Sequence, residues 1–540
     1  MPPSQVQPTP PVQTAASAAP KAPPGSPQPV FGLRLACGLL GILLGAIIAG
    51  LNNRVPGLVL ADVQGGLGFA SDDASWLTTA YAAGELAAMP FASWFAITFS
   101  LKRFHVTMLS ASLVLAAFMP FAHRLEVMLA LRALQGLCSG ALIPLLMMAA
   151  LRFLPPKIRL HGLALYALTA TFAPNLALWL ASLCVEHLED WRWAYWHVLP
   201  LGALALPLVA WGVPRLPMAL ERLPQGNWLG MALGIPGLAL LVTGLDQGVR
   251  LDWWHSSVVA AALFAGGALT VLFLLSEWRH ATPFMRLQLL VRRNLGLGFT
   301  VFFLLLMTLN TAVGLPANTL AHGQGFRLAQ TAPLGLIVAW PQLVLGPAVA
   351  LLLYQRWVDA RHVFAAGLVC IGVSCWMASG LTDEWMVRQF LWIQVLQAVG
   401  QPLAVVPLLF LATSVVQPME GPSVSGLVNM LRALGTVSGG AFIGEMLARR
   451  QRFHAEMLLD TAASALPALG QGAAHGVGAA GLSGTIAAQA AVLATADVYR
   501  IFGTLALVLV PVVLRLQHIP APMTTPPPLQ PTAVPVAPAR

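Results

Sequence analysis

Apolar runs of about twenty residues recur along nearly the whole 540-residue chain, with short charged loops between them. A helix rises about 1.5 Å per residue, so each run matches the roughly 30 Å of hydrocarbon in a bilayer. Lipid offers the backbone no hydrogen-bond partners, so runs of this kind are confined to helices. Charged residues make up 9% of the chain and hydrophobic ones 57%. A soluble domain carries about 25% charged residues, too many for a surface built from this sequence. The expected fold class is therefore all-α transmembrane.

The runs predict about fourteen spans, near 35–60, 74–97, 105–122, 126–150, 160–184, 194–213, 228–246, 256–276, 295–317, 331–353, 363–380, 390–414, 424–447 and 499–516. Basic residues orient them. Arg34, Lys102, Arg103, Arg152, Lys157, Arg159, Arg215, Arg279, Arg292, Arg293, Arg356 and Arg361 fall in alternate loops, with both termini, on one side. That side is expected to be cytoplasmic. Asp62, Asp72, Asp73, Glu186, Glu189, Asp190, Asp252, Asp383 and Glu384 fall on the other. Trp and Tyr gather at segment ends, as in WRWAYW at 191–196, which reads as an interfacial belt.

The segments divide as follows. Residues 1–30 form a disordered Pro/Ala-rich cytoplasmic tail. Residues 31–215 hold six spans, 216–290 two more with a linker, and 291–516 six more with a long external loop at 448–498. A second Pro-rich tail occupies 517–540. The long apolar run after Arg34 is read as a retained helix and not a cleaved leader. In the loop, RRQRFHAEML has amphipathic spacing, ALPALGQGAAHGVGAAG is flexible by composition, and 482–498 is a short helix leading into the last span. The loop is either a passive linker or a contact surface for an external partner.

The net charge of +9 does not imply nucleic acid, because the basic residues are scattered in short loops and no stripe can be drawn through them. Five cysteines, all in or at the end of apolar segments, form no CxxC pair and read as buried thiols; no metal site is expected. Walker-type GxxxxGK[ST], HExxH and GxSxG patterns are absent, and the 12 histidines are dispersed. The chain is not expected to be an enzyme, and any energy source is an ion gradient or a partner.

Charges inside a bilayer are costly and normally face a bundle interior or a wet cavity. Glu85 lies midway along the second span and is the expected proton-coupling group, or else a static partner for a cation. Asn52, Asn53 and Arg54 interrupt the first span. Either they face a substrate cavity, with Arg54 within reach of Glu85, or the span ends near Leu51 and Arg54 sits at the headgroups. Arg132 and Gln135 share a face of the fourth span, where Arg132 is either interior or snorkelling to the interface. Gly136 and Gly140 form a GxxxG pair for close helix contact. Arg432 stands among small residues in the thirteenth span, and Glu445, near its outer end, either faces water or has a role. Frequent intramembrane prolines, Pro174 among them, favour helices that bend and a protein that moves.

The stretches ASWLTTAYAAGELAAMPFASW at 74–94, LALRALQGLCSGALIP at 129–144 and QAAVLATADVYRIFGTLALVLVP at 489–511 resemble the major facilitator superfamily. The resemblance covers about 33–516 and is closest to its fourteen-helix drug:proton antiporters of the bacterial tripartite-pump type. Arg132, Gln135 and Gly136 carry its RxxQG motif. It implies two six-helix bundles with two additional helices between them, alternating access to a central cavity, and a proton gradient as the energy source without a cofactor. It also implies residence in the bacterial inner membrane, a periplasmic adaptor and an outer-membrane channel as partners, and multidrug efflux with antibiotic resistance. The sequence departs from the family in three places. SWFAITFSLKR at 93–103 replaces the G-x-L-x-D-R-x-G-R-[RK] loop and leaves Lys102 and Arg103 as its basic gate residues. Asn52 replaces the first-span acid, and APNLAL at 173–178 keeps only Pro174 of G-P-x-x-G-G.

The expected function is proton-coupled efflux of amphipathic or aromatic small molecules. Alternatives are a dedicated exporter of a siderophore, lipid or metabolite, a proton-coupled uptake symporter, and a non-transporting membrane scaffold or enzyme.

Overall fold

The computed structural model describes residues 31–155, 157–417, 420–465 and 479–521. The expected tail 1–30, nearly all of the tail 517–540 and the Ala/Gly-rich centre of the 448–498 loop lie outside the described residues. The chain forms α1 (Leu33–Leu58), α2 (Leu60–Leu67), α3 (Ser71–Thr98), α4 (Leu101–Phe118), α5 (Leu125–Phe153), α6 (Arg159–Thr171), α7 (Ala173–Ser182), α8 (Trp193–Trp196) and α9 (Val198–Gly212). It continues with α10 (Trp228–Gly248), α11 (Ser257–Arg279), α12 (Arg293–Leu309), α13 (Gly314–Gln324), α14 (Leu328–Leu353), α15 (Ala360–Ala378), α16 (Val387–Thr413), α17 (Gly421–Ala465) and α18 (Ala479–Leu514).

Among the described residues, eleven helices or helix runs are long and apolar enough to cross a membrane. The pair α6–α7, taken together, is a twelfth candidate, bent by 43° where Phe172 joins the halves and Pro174 opens the second. Proline in the first turn of a helix costs no hydrogen bond, so a break there is cheap. The expected spans 74–97 and 424–447 are helical as α3 and α17 but fall outside that apolar set. Both carry Ser, Thr and charged residues, and α17 adds Asn429. Large apolar side chains point outward elsewhere: Phe264, Val344 and Trp392 are 72%, 71% and 72% exposed. A water-facing surface avoids such a display, and a lipid-facing one requires it.

Helices α1, α3, α4, α5, α7 and α9 pack together, and α12, α14, α15, α16, α17 and α18 form a second packed group. The groups touch through α3 and α5 on α17, α6 on α14 and α16, and α7 on α14. Helices α10 and α11 pair with each other, and α10 lies against both α3 and α17. The tightest packing is between α3 and α5. A methyl added at Gly136 would stand 2.1 Å from the Tyr81 carbonyl oxygen, and one at Gly140 would stand 2.1 Å from that of Glu85. The GxxxG pair sits at this close approach, and Gly84 answers it from α3, 2.2 Å from the Ala133 oxygen by the same measure.

Three expectations change. The amphipathic RRQRFHAEML segment is no separate helix but the continuation of α17, which runs unbroken for 45 residues, about 68 Å. Residues 482–498 likewise belong to the single 36-residue α18. The two helices pack on each other, and Asp497 joins them by accepting from Arg450 (2.7 Å) and contacting His454 (2.8 Å). Of the five free cysteines, only Cys184 and Cys375 are buried; the other three are half-buried.

Candidate functional site

A cavity of about 1260 Å³ opens between the two helix groups. Asn53, Arg54, Asn175, Gln401, Arg432 and Thr436 line its polar depth, while Asp62, Glu186, Glu189 and Arg327 line it toward the end where α2 and α13 lie. Apolar walls come from Leu178, Leu306, Leu309, Val313 and Ile443. Mixed apolar walls with a few convergent polar groups are the usual make-up of a small-molecule site.

The opposite end is closed by contacts between the groups. The Tyr166 hydroxyl donates to Asn429 Oδ1 (2.8 Å), and Ser425 Oγ donates to the Pro144 carbonyl (2.6 Å). Asn175 Nδ2 donates to Gln401 Oε1 (2.9 Å), and the rings of His161 and Tyr354 stack at 5.5 Å. Arg432 donates from α17 to both the hydroxyl and the carbonyl of Thr169 on α6. Arg432 is thus a strut between the groups as well as a cavity residue, beyond the packing role its small neighbours suggested.

Arg132 is completely buried, so snorkelling is overturned. Its guanidinium donates to the carbonyls of Leu77 (3.3 Å) and Asn52 (2.9 Å), to Gln135 Oε1 (2.9 Å) and to Asn53 Oδ1 (2.7 Å). It also lies over the Tyr81 ring at 4.5 Å and near that of Tyr195 at 5.7 Å. Asn52 Nδ2 donates to Ser139 Oγ (3.1 Å) and Ser112 Oγ (3.3 Å), and Gln135 Nε2 donates back to Asn52 Oδ1 (3.4 Å). Every hydrogen bond and ring contact on this buried cation comes from a neutral group. Asn52, Asn53, Arg132 and Gln135 are therefore brought together in one network.

Arg54 lies inside α1 and lines the cavity, so the alternative in which the span ends near Leu51 is overturned. Glu85, half-buried on α3, interacts through space with Arg432, Arg54 and Arg132. No ion pair within 4.0 Å joins Glu85 to Arg54 among the described residues, and Arg54 lines the cavity. Pro174 lines the cavity at the α6–α7 bend. Lys102 is buried and Arg103 is exposed, with Nη1 3.1 Å from Met218 Sδ, and neither forms an ion pair among the described residues. Glu445 does not simply face water: it accepts from Trp253 Nε1 (2.6 Å) and pairs with Arg449.

Sequence reading missed several members. Asp246 on α10 accepts from Thr79 on α3, and Gln247 donates to the same hydroxyl (2.6 Å). Glu277, fully buried, accepts from Asn227 Nδ2 (2.8 Å) and from the Met285 amide (2.8 Å), tying down the segment after α11. An acid inside or at the end of an apolar run was the available signal for both. The row Gln394, Gln397 and Gln401 on α16, at helical spacing in WIQVLQAVGQP, marked an interior polar face. Among the described residues no three His, Cys, Asp or Glu side chains gather as metal ligands.

A family model described as Major Facilitator Superfamily matches residues 42–285. The chain is 23% identical over 499 residues to the fatty acid resistance protein FarB of Neisseria gonorrhoeae, covering 90% of this chain and 96% of that one. It is 21% identical over 439 residues to the multidrug export protein EmrB of Escherichia coli, covering 80% and 84%. Among solved structures, the human organic anion transporter MFSD10 superposes with a TM-score of 0.54 at 14% identity, over 88% of this chain and 100% of that one. The proton:xylose symporter XylE superposes at 0.52 with 10% identity, over 90% and 96%. The packed helix groups around one cavity, the Arg132 network and these likenesses agree on a multi-pass membrane protein that is similar over residues 42–285 to the Major Facilitator Superfamily and distantly similar to EmrB-type efflux proteins.

Proposed function

We propose that the protein exports amphipathic or aromatic small molecules from the cytoplasm or inner leaflet, driven by the proton gradient, with Glu85 as the proton-carrying group. The observation that carries this reading is the position of Glu85. It is the carboxylate that interacts with both cavity cations, Arg54 and Arg432, and no hydrogen bond holds it among the described residues. A carboxylate so placed can gain or lose a proton without breaking a structural bond, and each change alters the charge balance felt by the cavity and by the Arg432 strut. Moving one charge through the membrane potential supplies about 2.3 kcal/mol per 100 mV. The relatives named for multidrug export and fatty acid resistance support an amphipathic substrate and the outward direction.

On this reading α3 and α17 are spans, polar because they line the transport path, which raises the total to fourteen. The helices then divide into a six-helix bundle at 31–215, two extra helices at 216–290 and a second six-helix bundle at 291–516. Both termini face the cytoplasm of the bacterial inner membrane, and the cavity opens outward. Lys102 and Arg103 flank the closed cytoplasmic end, Gly136 and Gly140 keep α3 and α5 in register during movement, and Pro174 is the bend about which α6–α7 adjusts. A periplasmic adaptor and an outer-membrane channel complete the path, with the long α17–α18 hairpin on the side where the adaptor would sit.

The test is transport in proteoliposomes under an imposed pH gradient. Wild-type protein should move a fluorescent amphipathic dye against its gradient. Glu85→Gln should lose that accumulation while still melting like wild type and still exchanging dye at equilibrium. Gradient-driven accumulation in Glu85→Gln equal to wild type removes Glu85 from the coupling role.

A further inference from the structure

The charges of the cavity are sorted by depth. Arg54 and Arg432 lie in its polar depth, where they repel each other through space. Arg432 is held by Thr169, but Arg54 has neither a hydrogen-bond nor an ion-pair partner among the described residues. Arg132, completely buried and outside the cavity lining, adds a third cation. Glu85 is the carboxylate that interacts with all three, so the centre keeps a net positive charge whether or not Glu85 carries a proton. The acids that line the cavity itself, Asp62, Glu186 and Glu189, are at the rim. Asp62 and Glu189 are exposed there, and Glu186 is occupied by the Ala329 amide, which donates to it at 2.9 Å. Exposed rim charges are screened by water, whereas charges deep in a narrow space are not.

A guanidinium without a partner at the depth of an apolar-walled cavity is an unmet binding group, because charge-assisted bonds to a planar carboxylate are its strongest pairing. A like-charged neighbour increases the gain from an anion placed between them. We infer that the cavity selects amphipathic organic anions, with the carboxylate or similar acidic head seated between Arg54 and Arg432 and the apolar body against Leu178, Leu306 and Val313. This rests on the proposed transport of amphipathic molecules and names their head group.

The test uses binding and no gradient. Full-length protein in nanodiscs at pH 7.5 is titrated with 2-naphthoate, 2-naphthamide and 2-naphthylmethylammonium, which share one apolar body. The anion should bind about tenfold or more tighter than the amide, the ammonium compound should bind weakest, and Arg54→Gln should remove the preference. Arg54→Lys should keep part of it, and the melting temperature of each variant establishes that it is folded. Should Arg54→Gln fail to fold, the same comparison is made with Arg54→Lys, which should narrow the gap between anion and amide. Equal binding of anion and amide, tighter binding of the ammonium compound, or an anion preference unchanged in both Arg54 variants overturns the inference. The two readings fail separately. Arg54-dependent anion binding without gradient-driven transport sinks only the export reading, and gradient-driven transport confined to cationic dyes sinks only this one.

Discussion

Replacing Gly140 by alanine tests whether the α3–α5 contact sets the position of Glu85. The added methyl would lie 2.1 Å from the Glu85 carbonyl oxygen and 2.8 Å from its carbonyl carbon. Both are backbone atoms inside a helix, so no rotamer change relieves the clash, and ordinary contact begins at 3.4 Å. The helices must therefore separate locally by about 1 Å, against the same close approach held by Gly136 and Gly84 on either side. Overpacking of this kind costs about 1–3 kcal/mol. The melting temperature in detergent should fall by about 1–3 °C. Transport should fall further than stability does, because the atom displaced belongs to Glu85, whose interaction with Arg54, Arg132 and Arg432 depends on its placement. Gly267→Ala on α11 is the control: a methyl there meets nothing within 4 Å, and neither quantity should drop. If Gly140→Ala melts and transports like wild type while the control does the same, the close contact does not position Glu85 and the reasoning fails.

Two further outcomes are expected. Tyr166→Phe deletes the hydroxyl that bonds Asn429 across the closed end. A neutral bond of this sort contributes about 0.5–1.5 kcal/mol, so the balance between open and closed arrangements should shift by about two- to tenfold, read from spin-label distances between α6 and α17; unchanged distance populations would refute the strut. Asp359, in the turn before α15, is held by Arg361 (2.6 Å), with His518 at 3.3 Å. Burial would raise its carboxyl, but bonding to Arg361 prevails and lowers it from 3.8 to about 2. Because the folded value is depressed, the stabilisation is present above about pH 4 and is lost as pH falls toward 2. Asp359→Asn should therefore lower the melting temperature at pH 7 and converge on wild type near pH 2; an equal deficit at both pH values would show that the ion pair is not its cause.

Much of the fold was legible in the sequence because lipid is a strict solvent. Apolar runs of bilayer length leave the backbone no alternative to helix, and Gly136 and Gly140 announced a close contact through spacing alone. The polar interior was legible only as single residues. Arg132 and Gln135 share one face, so their meeting was predictable from helical periodicity. That Asn52 and Asn53 would supply acceptors in place of an acid depended on the distance between α1 and α5, which no local pattern encodes. The same limit hid Asp246, whose partner Thr79 is 167 residues earlier in the chain.

The sequence by itself determined that this chain enters a membrane, which segments become helices, and that Glu85, midway along an apolar run, needs an interior. Burial cost decides those points residue by residue, without reference to what lies opposite. Only the tertiary structure decided what each charge meets: Arg132 caged by neutral groups, Arg432 braced on Thr169, and Arg54 left facing a cavity with a like charge beside it. Long-range Coulomb terms and cavity shape arise from how the helix groups pack, and the same polar residues in a different packing would form a different site.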